Sequence, residues 1–104
     1  MVIIKFEAPQ VEEYCDLRVS AGMSPKSIEA ARKGLPHACF NITIYDNESL
    51  IAMGRVIGDG GTVFQIVDIA VDKGYQGRGY GRIIMEEIMT CLLYTSDAAD
   101  DSLR

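Results

Sequence analysis

The chain has 104 residues, 48% of them apolar, and a formal net charge of −5. That is room for one small domain of ordinary globular composition. The acidic balance argues against nucleic acid as a partner, no apolar run reaches the length of a membrane span, and the widely spaced Cys15, Cys39 and Cys91 form neither a metal motif nor a disulfide framework. The opening stretch Met1 to Glu7 lacks the basic start and cleavage site of a signal peptide, so a reducing cytoplasm is the expected setting.

Val2 to Glu7 alternates loosely and reads as a first strand, interrupted by Pro9. Val11 to Ala21 reads as a helix ended by Gly22, with Val11, Tyr14, Cys15, Leu17 and Val19 toward the core. Ser24-Pro25 predicts a second helix start, serine as N-cap and proline in the first turn. That helix continues through Ser27 to Lys33 and stops at Gly34 and Pro36. Cys39 to Tyr45 sets Phe40, Ile42 and Ile44 against Asn41, Thr43 and Tyr45, the pattern of a half-buried strand.

Asp46-Asn47-Glu48 is a tight turn, and Leu50 to Ile57 is the paired strand, with Gly54 marking a bulge or a close approach. Gly58 to Gly61 closes a hairpin to a further strand, Thr62 to Val71. Arg82 to Met89 reads as the last helix, its apolar side made by Ile83, Ile84 and Ile88 with Met85 and Met89 adjoining. Met53 and Met85 read as core fillers.

Between the last strand and the last helix stands Gln76-Gly77-Arg78-Gly79-Tyr80-Gly81. Strand, glycine-rich turn, helix is an arrangement that offers backbone N–H groups to a phosphate. Glycine lets the backbone approach a ligand closely and take positive φ, and Arg78 and Arg82 add positive charge. A P-loop needs Gly-Lys-Ser/Thr, whereas Gly81 is followed by Arg82-Ile83; a dinucleotide fingerprint needs G-x-G-x-x-G, and the glycines fall at 77, 79 and 81. Glycines alone would leave a plain flexible turn open as the alternative.

The spacing Q-x-x-G-x-G, within the stretch Phe64 to Gly81, resembles the acetyl-CoA signature of the GNAT (N-acetyltransferase) superfamily. The order strand, helix, helix, three antiparallel strands, loop, helix is similar to the N-terminal portion of that fold. The resemblance implies an α/β (α+β) class: a partial GNAT acyl-CoA N-acyltransferase fold, its mixed, mostly antiparallel sheet flanked by helices. It implies an enzyme that uses acetyl-CoA as co-substrate, without a metal, and transfers the acetyl group to an amine of a small molecule or peptide. A homodimer is compatible with that reading.

By the same resemblance Ile69, Ala70 and Val71 would pair with the pantetheine arm. Gln76, Gly77, Arg78, Gly79, Tyr80, Gly81 and Arg82 would hold the pyrophosphate. The Ile69 N–H would bond the thioester carbonyl. Read as residues only, Ile69 to Val71 is equally a core strand.

The general base is less well marked. Some family members carry a glutamate where this chain has Gln65, and glutamine cannot accept a proton at useful pH. Asp68 is then the catalytic candidate, acting through water; its other reading is a strand charge paired with a basic neighbour. His37 either lines the acceptor pocket or is solvated. Acceptor binding is expected around Arg18, Met23, Ser24 and Lys26. Arg18 and Arg55 each read either as a clamp for an acceptor carboxylate or as a surface arginine.

Residues 91 to 104 change character. Cys91 to Asp100 resembles the translated read-through of a sequencing-library adapter and not the GNAT family. The expected organisation is a GNAT domain over 1–90, truncated after the helix that follows the acetyl-CoA loop, with a non-native tail from 91 to 104; the alternative is a genuine frayed C-terminus. Leu92 and Leu93 would prolong the helix stripe by accident, and Tyr94 is given no catalytic role. A non-catalytic acetyl-CoA-binding module is the competing function, favoured by Gln65. A fragment left inactive by an open sheet edge is a third reading for the chain as written.

Overall fold

The computed structural model describes residues 1–95. Four strands, β1 (Val2–Lys5), β2 (Phe40–Asp46), β3 (Ser49–Gly58) and β4 (Phe64–Val71), form one sheet in the order β1-β2-β3-β4. Every pairing among them is antiparallel. Helices α1 (Val11–Ser20) and α2 (Ile28–Gly34) cover one face, and α3 (Tyr80–Thr95) covers the other. This is the α+β arrangement expected from the sequence.

The two faces carry separate cores. Ile42, Ile44, Ile51, Ala52 and Val56 pack with Ile84 and Ile88 of α3. Tyr14, Cys15, Leu17, Ala31 and Leu35 pack with Met53 and Ala70 on the α1 side. Met53 is the core filler expected of it, whereas Met85 is not. It lies one residue past the buried Ile84, which turns it by about 100° on a 3.6-residue helix and out to solvent. The same geometry exposes Val19 and Met89.

The start of α2 is set by a side-chain cap. The N-cap of α2 is Ser27, whose Oγ accepts from the Ala30 N–H at 3.0 Å, and not Ser24. Ser24 is already committed: its carbonyl accepts from Arg18 Nε at 3.0 Å and its Oγ from Nη2 at 3.2 Å. Helix α2 does not stop cleanly at Gly34 but tightens into a 3₁₀ turn, Leu35–His37, that accommodates Pro36. Helix α3 runs unbroken past Thr90. Leu92 joins the α3-side core, while Leu93 is 51% exposed and does not extend the stripe. The rest of the expected tail, 96–104, lies outside the described residues.

Gly54 combines both roles expected of it. The β3–β4 register shifts between Met53 and Arg55. A Cβ built on Gly54 would sit 2.5 Å from Ile84 Cγ2 and 2.9 Å from Ile69 Cδ1. Replacing Gly54 with alanine should therefore cost roughly 1–3 kcal/mol, the usual range for overpacking. Urea unfolding of Gly54→Ala checks this, and a loss within experimental scatter would mean that α3 rides more loosely than drawn.

Tyr45 ties β2 to α1 by donating to Glu13 Oε1 at 2.9 Å. Burial, and then the Glu13 carboxylate, push its phenol up to about 12 from an ordinary 10.0. A raised value means the folded state holds the proton more tightly. The stability this group contributes is intact below pH 10 and is lost as pH climbs from there toward 12. Tyr45→Phe should show a shallower alkaline fall in urea midpoint than the parent chain, and superimposable pH profiles would contradict the assignment.

Candidate active site

The site begins with the irregularity in β4. Ala70 pairs with Met53 and Val67 with Arg55, so Asp68 and Ile69 together face the single residue Gly54. Such a bulge leaves one residue over. Asp68 takes it up at φ 56°, in the left-handed region that a short polar side chain tolerates. The bulge also exchanges the faces: Ile66 lies on the α3 side, Ala70 on the α1 side. A strict period of two would have put both, and Asp68 with them, on one face.

Past the bulge, Asp72 donates its N–H to the Ile51 carbonyl at 2.7 Å. Antiparallel pairing alternates, so Ala70 also bonds inward to β3 while Ile69 and Val71 turn their N–H and C=O groups outward. The Val71 carbonyl confirms the direction, since it accepts from Gln76 Nε2 at 3.0 Å across the loop. β4 is the edge of the described sheet. Ile69 and Val71 therefore present backbone groups to an open edge, while Ala70 does not.

Asp68 itself is enclosed. Its Oδ2 accepts from Tyr14 Oη at 2.9 Å and from Arg55 Nη1 at 2.7 Å, and its Oδ1 from Arg18 Nη1. Three of the roughly four acceptor sites of a carboxylate are thus filled. Both guanidinium groups are buried and lie about 6 Å over the Tyr14 ring, at 6.0 and 5.9 Å. Burial first, and then the hydrogen bond to Asp68, raise the Tyr14 phenol above its usual range. Of the two readings of Asp68, the structure contains the paired one. Arg18 and Arg55 are not surface arginines. Arg18 stands four residues after Tyr14, on the same helix face, and that spacing was the signal in the sequence.

The glycine loop is held by five contacts. Asp72 Oδ1 accepts from the Gly74 N–H at 2.9 Å, and Oδ2 from Ser20 of α1 at 2.9 Å. Tyr75 donates to Asp46 at 2.8 Å, and Arg78 sits 5.1 Å over the Tyr75 ring. Gln76 closes onto β4 as above. Gly77 and Gly79 adopt φ 82° and 89°, and the space a Cβ would take at either is empty. Gly81 has neither feature, so its smallness is not required by the backbone.

Helix α3 starts at Tyr80, two residues earlier than the sequence suggested, because the Gly79 carbonyl already accepts from the Ile83 N–H at 3.1 Å. The N–H groups of Tyr80, Gly81 and Arg82 then have no partner within the helix and carry its positive end. Arg78 and Arg82 are exposed beside them.

Other sequence candidates lie apart from this edge. Gln65 is exposed near the far end of β4, and His37 is exposed at the end of the 3₁₀ turn. Among the described residues no cluster of three His, Cys, Asp or Glu side chains could hold a metal ion, and no helix is long and apolar enough to cross a membrane.

Residues 7–92 match the model of the acetyltransferase (GNAT) family, and the chain belongs to that family. It is similar to a probable acetyltransferase of unknown function from meticillin-resistant Staphylococcus aureus: 61% identity, TM-score 0.89, 92% of this chain and 72% of that one. It is also similar to a GNAT family acetyltransferase from Streptococcus pneumoniae, with 25% identity and TM-score 0.73, over 86% of this chain and 67% of that one. An aminoglycoside 6′-N-acetyltransferase complexed with coenzyme A shares the fold at 13% identity and TM-score 0.70, over 89% of this chain and 56% of that one. No curated protein matches.

Asp68→Ala would leave two buried guanidinium groups without their counter-charge. The expected cost is about 3–5 kcal/mol, the range for removing one partner of a buried ion pair. Tyr14→Phe removes one hydrogen bond and should cost about 1 kcal/mol. Urea unfolding of the two variants should rank them in that order; the reverse order would mean the arginines reach solvent when Asp68 is lost.

Proposed function

We propose that this chain carries the acetyl-CoA-binding part of an N-acetyltransferase acting on an amine of a small molecule or peptide. The observation that supports it most is the continuity of the open β4 edge, at Ile69 and Val71, with the glycine loop and the unpaired first turn of α3. An extended pantetheine arm could pair with the one while the pyrophosphate meets the other. The empty spaces beside Gly77 and Gly79 and the exposed Arg78 and Arg82 fit an anionic group there. The coenzyme A complex of the aminoglycoside acetyltransferase, which shares this fold, supports the same donor.

Bound in this way, acetyl-CoA supplies a thioester whose carbonyl an amine can attack. The Ile69 N–H would then hydrogen-bond the oxygen as negative charge develops. Donors of this kind are worth about 100- to 1000-fold in rate. Asp68 is assigned to positioning. It fixes the bulge from which Ile69 faces outward, with Tyr14, Arg18 and Arg55 holding its carboxylate. The amine's proton leaves through water, with proximity supplying most of the acceleration. A cytoplasmic setting and a homodimer remain part of the proposal.

One pair of observations favours a second reading, acetyl-CoA binding without transfer. Gln65 cannot accept a proton, and the Asp68 carboxylate is occupied. Release of CoA from acetyl-CoA in the presence of an amine panel separates the two: release supports the enzyme, and binding without release supports the module. For either, valine at Gly79 forces a branched side chain into φ 89°. A cost of 1–2 kcal/mol there corresponds to about tenfold weaker acetyl-CoA binding in calorimetry. An unchanged Kd would remove the loop from the binding site.

A further inference from the structure

A cavity of about 200 Å³ lies between α1, α2 and β3, walled by Tyr14, Lys26, Ala30, Ala31 and Arg55. The chain as a whole has fifteen acidic side chains against ten basic, yet among the described residues no acidic side chain lines this cavity. The neighbouring cavity is the opposite, with Glu13, Asp16, Glu48 and Asp72 in its wall and no base.

Arg55 is only 8% exposed. Its Nη1 donates to Asp68 and its Nη2 to the Gly34 carbonyl at 3.1 Å, but its Nε is buried without a partner among the described residues. Lys26, at the exposed rim, takes part in none of the ion pairs among the described residues. Behind the cavity wall Arg18 and Arg55 share the single carboxylate of Asp68, so the buried charges sum to one excess positive, and Lys26 adds a second at the exposed rim. A buried excess of positive charge is stabilised by an anion that fits.

We infer that this cavity receives the carboxylate of the acceptor, so that the amine acetylated is an amino-acid-like one; this rests on the acetyl-transfer reading above. The volume suits a carboxylate and a few carbons, being several times the ~30 Å³ share of one water. The position suits it too. Arg55 reaches Asp68 at 2.7 Å, and Asp68 directly precedes Ile69 at the open edge. A short amino carboxylate held by Lys26 and Arg55 would extend its nitrogen toward that edge. There the nitrogen forms a bond to the acetyl carbon and the carbon–sulfur bond breaks. The thiolate leaves, and the proton given up by the nitrogen ends on it through water, so no further reactant is needed.

The test uses the full chain, ¹⁵N-labelled and titrated with N-acetylglycine and N-acetylaspartate, each beside its neutral amide. The acids should shift the Ala30, Ala31 and Gly34 amides. Binding should weaken about tenfold for the neutral amides and for Lys26→Gln, as expected on losing a charge-assisted hydrogen bond. Equal binding of acid and amide, or shifts confined to other elements, would overturn the assignment. So would a turnover panel in which spermidine outperforms amino carboxylates. Acetyl-CoA is titrated separately. Carboxylate binding without acetyl-CoA binding removes the transfer reading, and with it the acceptor role, and leaves only a carboxylate site; acetyl-CoA binding with no preference for acid over amide overturns the cavity assignment alone.

Discussion

The site depends on one extra residue in β4. Asp68 and Ile69 stand opposite Gly54, and this two-against-one step turns the strand over. Without it, Asp68 would share the face of Ile66 and point toward Ile84 and Ile88, where a carboxylate has no counter-charge. With it, the carboxylate meets Arg18, Arg55 and Tyr14 instead. The bulge and the ion cluster are therefore conditions for each other. Gly54 is the third condition, because a side chain there would push α3 away from the sheet. A buried cluster of this kind is weak as a source of net stability, but its geometry is restrictive. Here it fixes which backbone groups of β4 face inward and which face the open edge.

The glycine loop is placed by polar ties from three elements. Ser20 of α1 holds Asp72, Asp46 of β2 holds Tyr75, and the Val71 carbonyl of β4 holds Gln76. The tie from Asp46 reaches further, since that carboxylate also pairs with the Met1 ammonium at 3.3 Å. Hydrogen bonding from Tyr75, and then from the terminus, holds Asp46 below the usual carboxylate range. The two positive-φ glycines keep the loop open over the first turn of α3, while these ties keep its ends fixed.

Much of this was legible in the chain. Turn chemistry at Asp46 to Glu48 and the apolar spacing of Ile84 and Ile88 each have one physical reading, and the structure follows it; alternation in Phe40 to Tyr45 gave the strand but not its burial, because helices cover both faces and Thr43 is as buried as Ile42 and Ile44. The glycine loop was legible because positive φ restricts the choice of residue. What was not legible came from contacts distant in sequence. Ser24-Pro25 has the chemistry of a helix start, but Arg18 takes both Ser24 oxygens and the cap passes to Ser27. Arg18 and Arg55 read as acceptor clamps or surface arginines, and not as partners of Asp68, because that residue is 50 and 13 residues away. The side to which Asp68 points could not be read at all, since a bulge reverses the period on which such readings rest.

The most direct measurement is amide hydrogen exchange in β4 and the first turn of α3, with and without acetyl-CoA. The alternation of the ladder gives a specific pattern. Ile69 and Val71, which face the open edge, should gain protection along with Gly81 and Arg82, while Ala70, already bonded to β3, should not change. Protection spread evenly over Ile69, Ala70 and Val71, or confined to other elements, would contradict the claim that this edge and this loop form one binding surface.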